Sequence, residues 1–212
     1  MQSLPAELVV VIAEYVDPRQ FALVSSVINR AVCRSESYRF FTTYKLTAVN
    51  LIRYGTLNII KYVSYENLIE FELYRIDEAA ASGRLDVLQW FHETRLEGWS
   101  IHTMDEAAAG GHLRVVQWLH ENRTEGCTGW AMDSAAAGGH LHVVQWLHEN
   151  RTEGCTTDAI EWATRYGRLN VVKWFCDNYD GVDIRHLIRL AELFERYNVA
   201  EYLKKRYTQF AD

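Results

Sequence analysis

Residues 107–128 read AAAGGHLRVVQWLHENRTEGCT and residues 135–156 read AAAGGHLHVVQWLHENRTEGCT, one residue apart in content and 28 apart in position. The same step runs along most of the chain. Gly55, Gly83, Gly111, Gly139 and Gly167 share a column, within RYGTLNIIKYV, ASGRLDVLQWF, AGGHLRVVQWL, AGGHLHVVQWL and RYGRLNVVKWF. A sixth copy, FERYNVAEYLK, keeps the register without the glycine, and Tyr62, Trp90, Trp118, Trp146, Trp174 and Tyr202 form an aromatic ladder at the same period. Self-similarity at a fixed period of this size is the signature of a repeat array.

Each unit reads as two helices. Leu113, Val115, Val116, Trp118 and Leu119 bury most of one helix, while Met104, Ala107, Ala108 and Gly111, at i, i+3, i+4 and i+7, form the apolar stripe of the helix before it. The small alanines let neighbouring helices approach, and the column glycine suits a left-handed C-cap between them. Ser100, Thr128 and Thr156 stand where the next first helix needs an N-cap. One such pair cannot cover its own apolar faces, so units must stack. The tryptophan column then acts as mortar, and Trp118→Ala is expected to cost about 3–5 kcal/mol.

The chain has 212 residues, about half of them apolar, with 22 Lys and Arg against 28 Asp and Glu and a net charge of -6. That suffices for a core, and it disfavours duplex nucleic acid or an anionic membrane surface as partner. No apolar run approaches the roughly 18 residues of a membrane span. Cys33, Cys127, Cys155 and Cys176 form no CxxC pair, so they read as free thiols of a protein expected in the cytoplasm or nucleus, and as a monomer when alone.

The strings AAAGGHLRVV and AAAGGHLHVV resemble the A-A-x-x-G-H-L-x-V-V signature of ankyrin repeats, over roughly residues 42–206. The family's unit is about 33 residues, and the residues missing here fall where its β-hairpin finger would be. The resemblance therefore implies an all-α, ankyrin-like solenoid of six helix-turn-helix units, about 45–72, 73–100, 101–128, 129–156, 157–184 and 185–207, with fingers reduced to short loops.

Before the array, LPAELVVVIAEYVDPRQFALVSSVINRAVCR resembles an F-box, with its L-P-x-E-L opening, D-P break and V-S-x-V-x-R segment. That resemblance implies that residues 1–41 dock the Skp-type adaptor of a cullin ubiquitin ligase through Leu4, Pro5, Leu8, Ile12 and Val24. The other reading of the segment is a helical cap over the open end of the stack.

The eight histidines invite a metal or catalytic reading. They recur at the repeat period instead: His92, His120 and His148 in one column, His112 and His140 in another that also holds Arg84 and Arg168. A catalytic group is needed once, and structural positions recur. His120 and Cys127 could be drawn as half of a zinc site, but structural zinc needs ligands paired closely and converging in fours. With no nucleophile elbow, phosphate loop or HExxH present, the sequence points to no enzyme, no cofactor and no metal.

The units at 101–128 and 129–156 differ at five positions, 101/129, 102/130, 103/131, 106/134 and 114/142, four of them early in the first helix. At 100° per residue His102 and Glu106, and with them Trp130 and Ser134, point almost directly away from the Met104 stripe. The outward row is Tyr74 and Glu78, His102 and Glu106, Trp130 and Ser134, Asp158 and Trp162, with Thr103 and Arg165 beside it. In ankyrin-like stacks the first helices line the concave face, so the resemblance places a protein partner on this row. Alternatively, Trp130 and Trp162 simply pack on adjacent units.

Overall fold

The computed structural model describes residues 75–94 and 98–209, with Ile52, Arg53, Leu57 and Ile60 before them. The F-box-like segment, with Leu4, Pro5, Leu8, Ile12 and Val24, lies outside the described residues. Among those described there are ten helices and no strand: α1 Arg75–Ala81, α2 Leu85–Glu93, α3 Ile101–Ala109, α4 Leu113–Asn122, α5 Gly129–Gly138, α6 Leu141–Asn150, α7 Asp158–Arg165, α8 Leu169–Asn178, α9 Ile184–Leu193 and α10 Tyr197–Gln209. No helix among them is long and apolar enough to cross a membrane.

The chain divides into two compact units, residues 1–79 with 86–96, and residues 80–85 with 97–212. In the first, Ile52, Ile60, Ile76, Val87, Leu88 and Phe91 are buried, and Arg53 pairs with Glu78. The second unit is a two-row stack. First helices pack in order, α5 against α3 and α7, then α7 against α9; second helices do the same, α6 against α4 and α8, then α8 against α10. Its core is small and regular: Met104, Ala107 and Ala108 from α3, Met132, Ala135 and Ala136 from α5, and a Val-Val-Leu triplet from each of α4 and α6.

Caps set the helix boundaries. The Ser100 hydroxyl accepts the His102 N–H, and the Thr103 hydroxyl accepts the Ser100 N–H, a capping box at the start of α3. Thr128 and Thr156 accept the N–H groups of Trp130 and Asp158, both at 3.1 Å, as their spacing predicts. At the other end, His112 N–H reaches the Ala107 carbonyl and Gly111 N–H the Ala108 carbonyl, the paired bonds of a Schellman motif. Gly111 is left-handed there, at φ 75°. The arrangement recurs at Gly139 and Gly167, and in the sixth unit Glu195 takes the glycine's place at φ 58°.

The residue after each of these turns ties two units together. His112 Nε2 lies 3.0 Å from the Ala81 carbonyl; Arg168 Nε donates to Ala137 and Arg196 Nε to Arg165, at 3.0 and 2.9 Å. His140 makes the equivalent bond to Ala109. Each spans 31 residues and satisfies a carbonyl at the end of the preceding first helix. The glycine column is therefore needed twice, for its positive φ and for room: a Cβ on Gly111 would come within 2.4 Å of His140 Nδ1.

One expectation about packing needs revision. The tryptophans of the ladder are half-buried, because Val115, Val116 and Leu119 occupy the inner face of α4 and push Trp118 to its flank. The mortar is shared with the histidines: His120 stands edge-on to Trp146 and His148 to Trp174, with ring centroids 5.2 and 5.1 Å apart. The loops at 123–128 and 151–156 replace fingers with a tight turn, in which Arg123 pairs with Glu125, Arg151 with Glu153, and Gly126 and Gly154 adopt positive φ.

Candidate protein-binding surface

The surface begins with how each first helix is held. Asp105 on α3 is buried, and its carboxylate accepts both the backbone N–H and the hydroxyl of Thr128, each at 2.8 Å. Asp133 on α5 does the same for Thr156 at 2.8 and 2.7 Å. Each cap residue is thus clamped from the unit before it, which fixes where the exposed side chains of α5 and α7 stand. Burial pushes the Asp133 carboxyl up in pKa, and the two Thr156 bonds pull against that rise.

On this frame His102 and Glu106 of α3 are exposed, as are Trp130 of α5 and Asp158 of α7. Trp130 keeps 47% of its surface open to solvent. Trp162 is half-buried and meets Trp130 edge-on, centroids 5.1 Å apart and planes at 85°. The two tryptophans therefore pack on each other across units and still present one ring outward. Arg165 is half-buried, with its guanidinium 4.7 Å from the Phe194 ring centroid. His102 Nδ1 stands 3.8 Å from the Asp105 carboxylate.

Three members of the row do not stand as the helical arithmetic places them. Thr103 is buried because its hydroxyl serves the capping box. Ser134 is buried as well: its short side chain turns back to donate to the Trp130 carbonyl at 2.7 Å, where the longer Glu106 in the same column reaches solvent. Glu78 is half-buried and paired with Arg53 in the other compact unit, and Tyr74 lies outside the described residues. Tyr166, missed from sequence, is 52% exposed at the turn after α7. The replacement of the first glycine of the GG pair by an aromatic was the available signal.

The histidine columns are explained by structure. One column bonds backbone carbonyls and the other packs on tryptophan, and among the described residues no three His, Cys, Asp or Glu side chains gather as a metal site would require. Burial pushes the Cys127 thiol up to about 11, with the nearby Glu153 adding to the rise, far from the depressed pKa of a reactive or metal-binding cysteine. Cys155 and Cys176 are raised for the same first reason.

A family model for ankyrin repeats (many copies) matches residues 76–120, 104–148 and 132–175, successive matches stepping by the same 28 residues as the glycine column. No curated protein matches the chain. Ankyrin repeats are typically non-enzymatic binding scaffolds. The glycine-capped turn and the helix-pair stack agree with the matched pattern, and residues 76–175, just under half of the chain, are similar to a run of ankyrin repeats, a family of protein–protein interaction modules.

Proposed function

We propose that the outward row of first helices, centred on Trp130 and Trp162 with His102, Glu106, Asp158 and Arg165 around them, binds a protein partner. The observation that carries this reading is Trp130. A tryptophan left 47% exposed on a helix whose other large side chains are buried costs solvation and adds little to the core. Such residues, ringed by polar groups, are what binding hot spots are made of. Thr103 and Ser134, both buried, support the row from within, Thr103 through the capping box of α3 and Ser134 through its bond to the Trp130 carbonyl. The test is capture of partners from cell extract by the whole chain and by a Trp130→Ala, Trp162→Ala double variant. Partners lost with the melting temperature nearly kept support the reading; partners kept by the double variant overturn it.

The F-box-like segment adds a finer reading, that of a substrate receptor acting in the cytoplasm or nucleus. Leu4, Pro5, Leu8, Ile12 and Val24 hold a Skp-type adaptor while the row holds a target. Its support is the L-P-x-E-L, D-P and V-S-x-V-x-R pattern of residues 4–30. Co-purification with a Skp-type adaptor, lost on Leu8→Glu and Ile12→Glu, tests it. Failure of the unaltered chain to bind leaves residues 1–41 as a cap, the array 42–212 as a free-standing binding module.

A further inference from the structure

The same place between a first helix and the loop that follows its unit is closed in one repeat and open in another. Around Met104, Leu119, Arg123 and Glu125 the space left is about 10 Å³, no more than one water needs. Arg123 seals it, paired with Glu125 and laid over Trp99 at 4.6 Å. Two periods on, the same columns hold Ile160, Phe175, Tyr179 and Gly181. The Arg-Glu plug is gone. Tyr179 leans towards the preceding unit, its hydroxyl 3.2 Å from His148 Nδ1 and 3.6 Å from Met132 Sδ. The loop is also shorter, five residues at 179–183 against six at 123–128. A cavity of about 290 Å³ opens there.

Its chemistry is one-sided. Ile160, Phe175, Val182 and Leu187 supply apolar wall, and Glu161, Asp180 and Asp183 add three carboxyl groups. His186 is the one basic side chain lining it, with neither Lys nor Arg present. Asp183 already accepts the His186 backbone N–H at 3.0 Å, and Glu161 stands 3.3 Å from His186 Nε2. The volume falls just below the roughly 300–1,000 Å³ of small-molecule sites, a fit for one or two side chains rather than a cofactor.

We propose that this cavity is the anchor pocket for a peptide segment of a protein partner, one that inserts a large apolar side chain and sets an Arg or Lys beside it. The apolar wall takes the anchor, and the carboxyl groups select the positive neighbour and repel acidic segments. Ile160 stands in the column of Met104, on the side of α7 away from Trp162, so the pocket lies beside the proposed binding row at the loop end of the unit, and it rests on the reading that the array binds a protein partner.

The experiment selects a displayed library of random decapeptides on the whole chain, then measures the enriched peptides on Ile160→Trp, which fills the cavity, on Asp180→Arg, which reverses charge at an exposed loop position, and on Trp130→Ala. Enriched sequences should pair Arg or Lys with Leu, Met or Phe, and their Kd should rise at least tenfold on the first two variants while melting temperatures hold. If Ile160→Trp does not fold, Asp180→Arg alone gives the reading. The proposal is overturned if no peptide is enriched, if enriched peptides lack the basic and apolar pairing, or if neither pocket variant weakens them. Peptides lost on Trp130→Ala but kept on the pocket variants leave the row standing and remove the pocket. Self-association of the chain abolished by Ile160→Trp makes a second copy the occupant and likewise overturns it.

Discussion

Asp105 and Thr128 lie 23 residues apart and are joined twice, the carboxylate accepting the threonine's N–H and its hydroxyl at 2.8 Å each. Asp133 and Thr156 repeat the clamp one unit later. A buried carboxylate with both partners in place is tolerated; removing it leaves two donors with nothing to bond. Asp133→Ala should therefore destabilise by about 2–3 kcal/mol. Asp133→Asn, which keeps one acceptor, should cost about half as much. Urea titrations followed by far-UV circular dichroism will show the midpoint falling in that order.

Glu195 sits in the column where Gly83, Gly111, Gly139 and Gly167 are left-handed, and it is the one non-glycine at positive φ among the described residues. A left-handed conformation costs a residue with a Cβ about 1–2 kcal/mol, and glycine escapes that cost. Offset by glycine's larger unfolded-state entropy, Glu195→Gly should stabilise by about 0.5–1 kcal/mol. The mirror experiment, Gly111→Ala, should cost more than the φ term alone, because the new Cβ would meet His140 Nδ1 at 2.4 Å. Melting temperatures of the two variants should move in opposite directions.

His140 is held below the ordinary histidine range first by burial, then by His142, with His112 and Arg168 adding to the same effect and the bond to the Ala109 carbonyl opposing it. A depressed folded pKa means the unfolded chain binds more protons as pH falls below about 6.5. The stability His140 contributes is thus complete above that value and is lost as pH drops towards the folded pKa. Thermal melts from pH 7.5 to 5.5 should show a decline that is smaller in His140→Gln, which can still donate to Ala109. An unchanged slope would mean that other groups govern the acid limb.

Period and helical angle together made much of this legible in the sequence. The glycine column, the Ser100, Thr128 and Thr156 caps and the two helical faces all follow from counting in steps of 28. What counting missed has two physical causes. The partners of His112, Arg168 and Arg196 are backbone carbonyls, which leave no mark in sequence. Side-chain length also decides exposure on a shared face: Ser134 and Glu106 occupy one column, yet only the glutamate clears its neighbours. The Asp105 clamp was readable in principle, since aspartate recurs at 77, 105 and 133 alongside the Ser/Thr column. The cavity beside the loop at 179–183 showed only as a departure from ENRTEGC, and no rule of spacing converts that into a volume.

Trp118 and Trp130 separate scaffold from surface in a single comparison. Trp118 is half-buried against Trp99, at 6.1 Å between ring centroids, and its carbonyl takes the Asn122 amide at 2.9 Å. Truncation there removes packing between units, and the expected loss is about 2–3 kcal/mol, below the full-burial figure because part of the ring already faces water. Trp130 loses only its edge contact with Trp162 and the part of its surface that is covered, so Trp130→Ala should cost no more than about 1–1.5 kcal/mol. Partner capture should respond in the reverse order, abolished by Trp130→Ala and retained by Trp118→Ala at temperatures where both remain folded. Equal losses of stability would make Trp130 a packing residue, and the row would then have lost its centre.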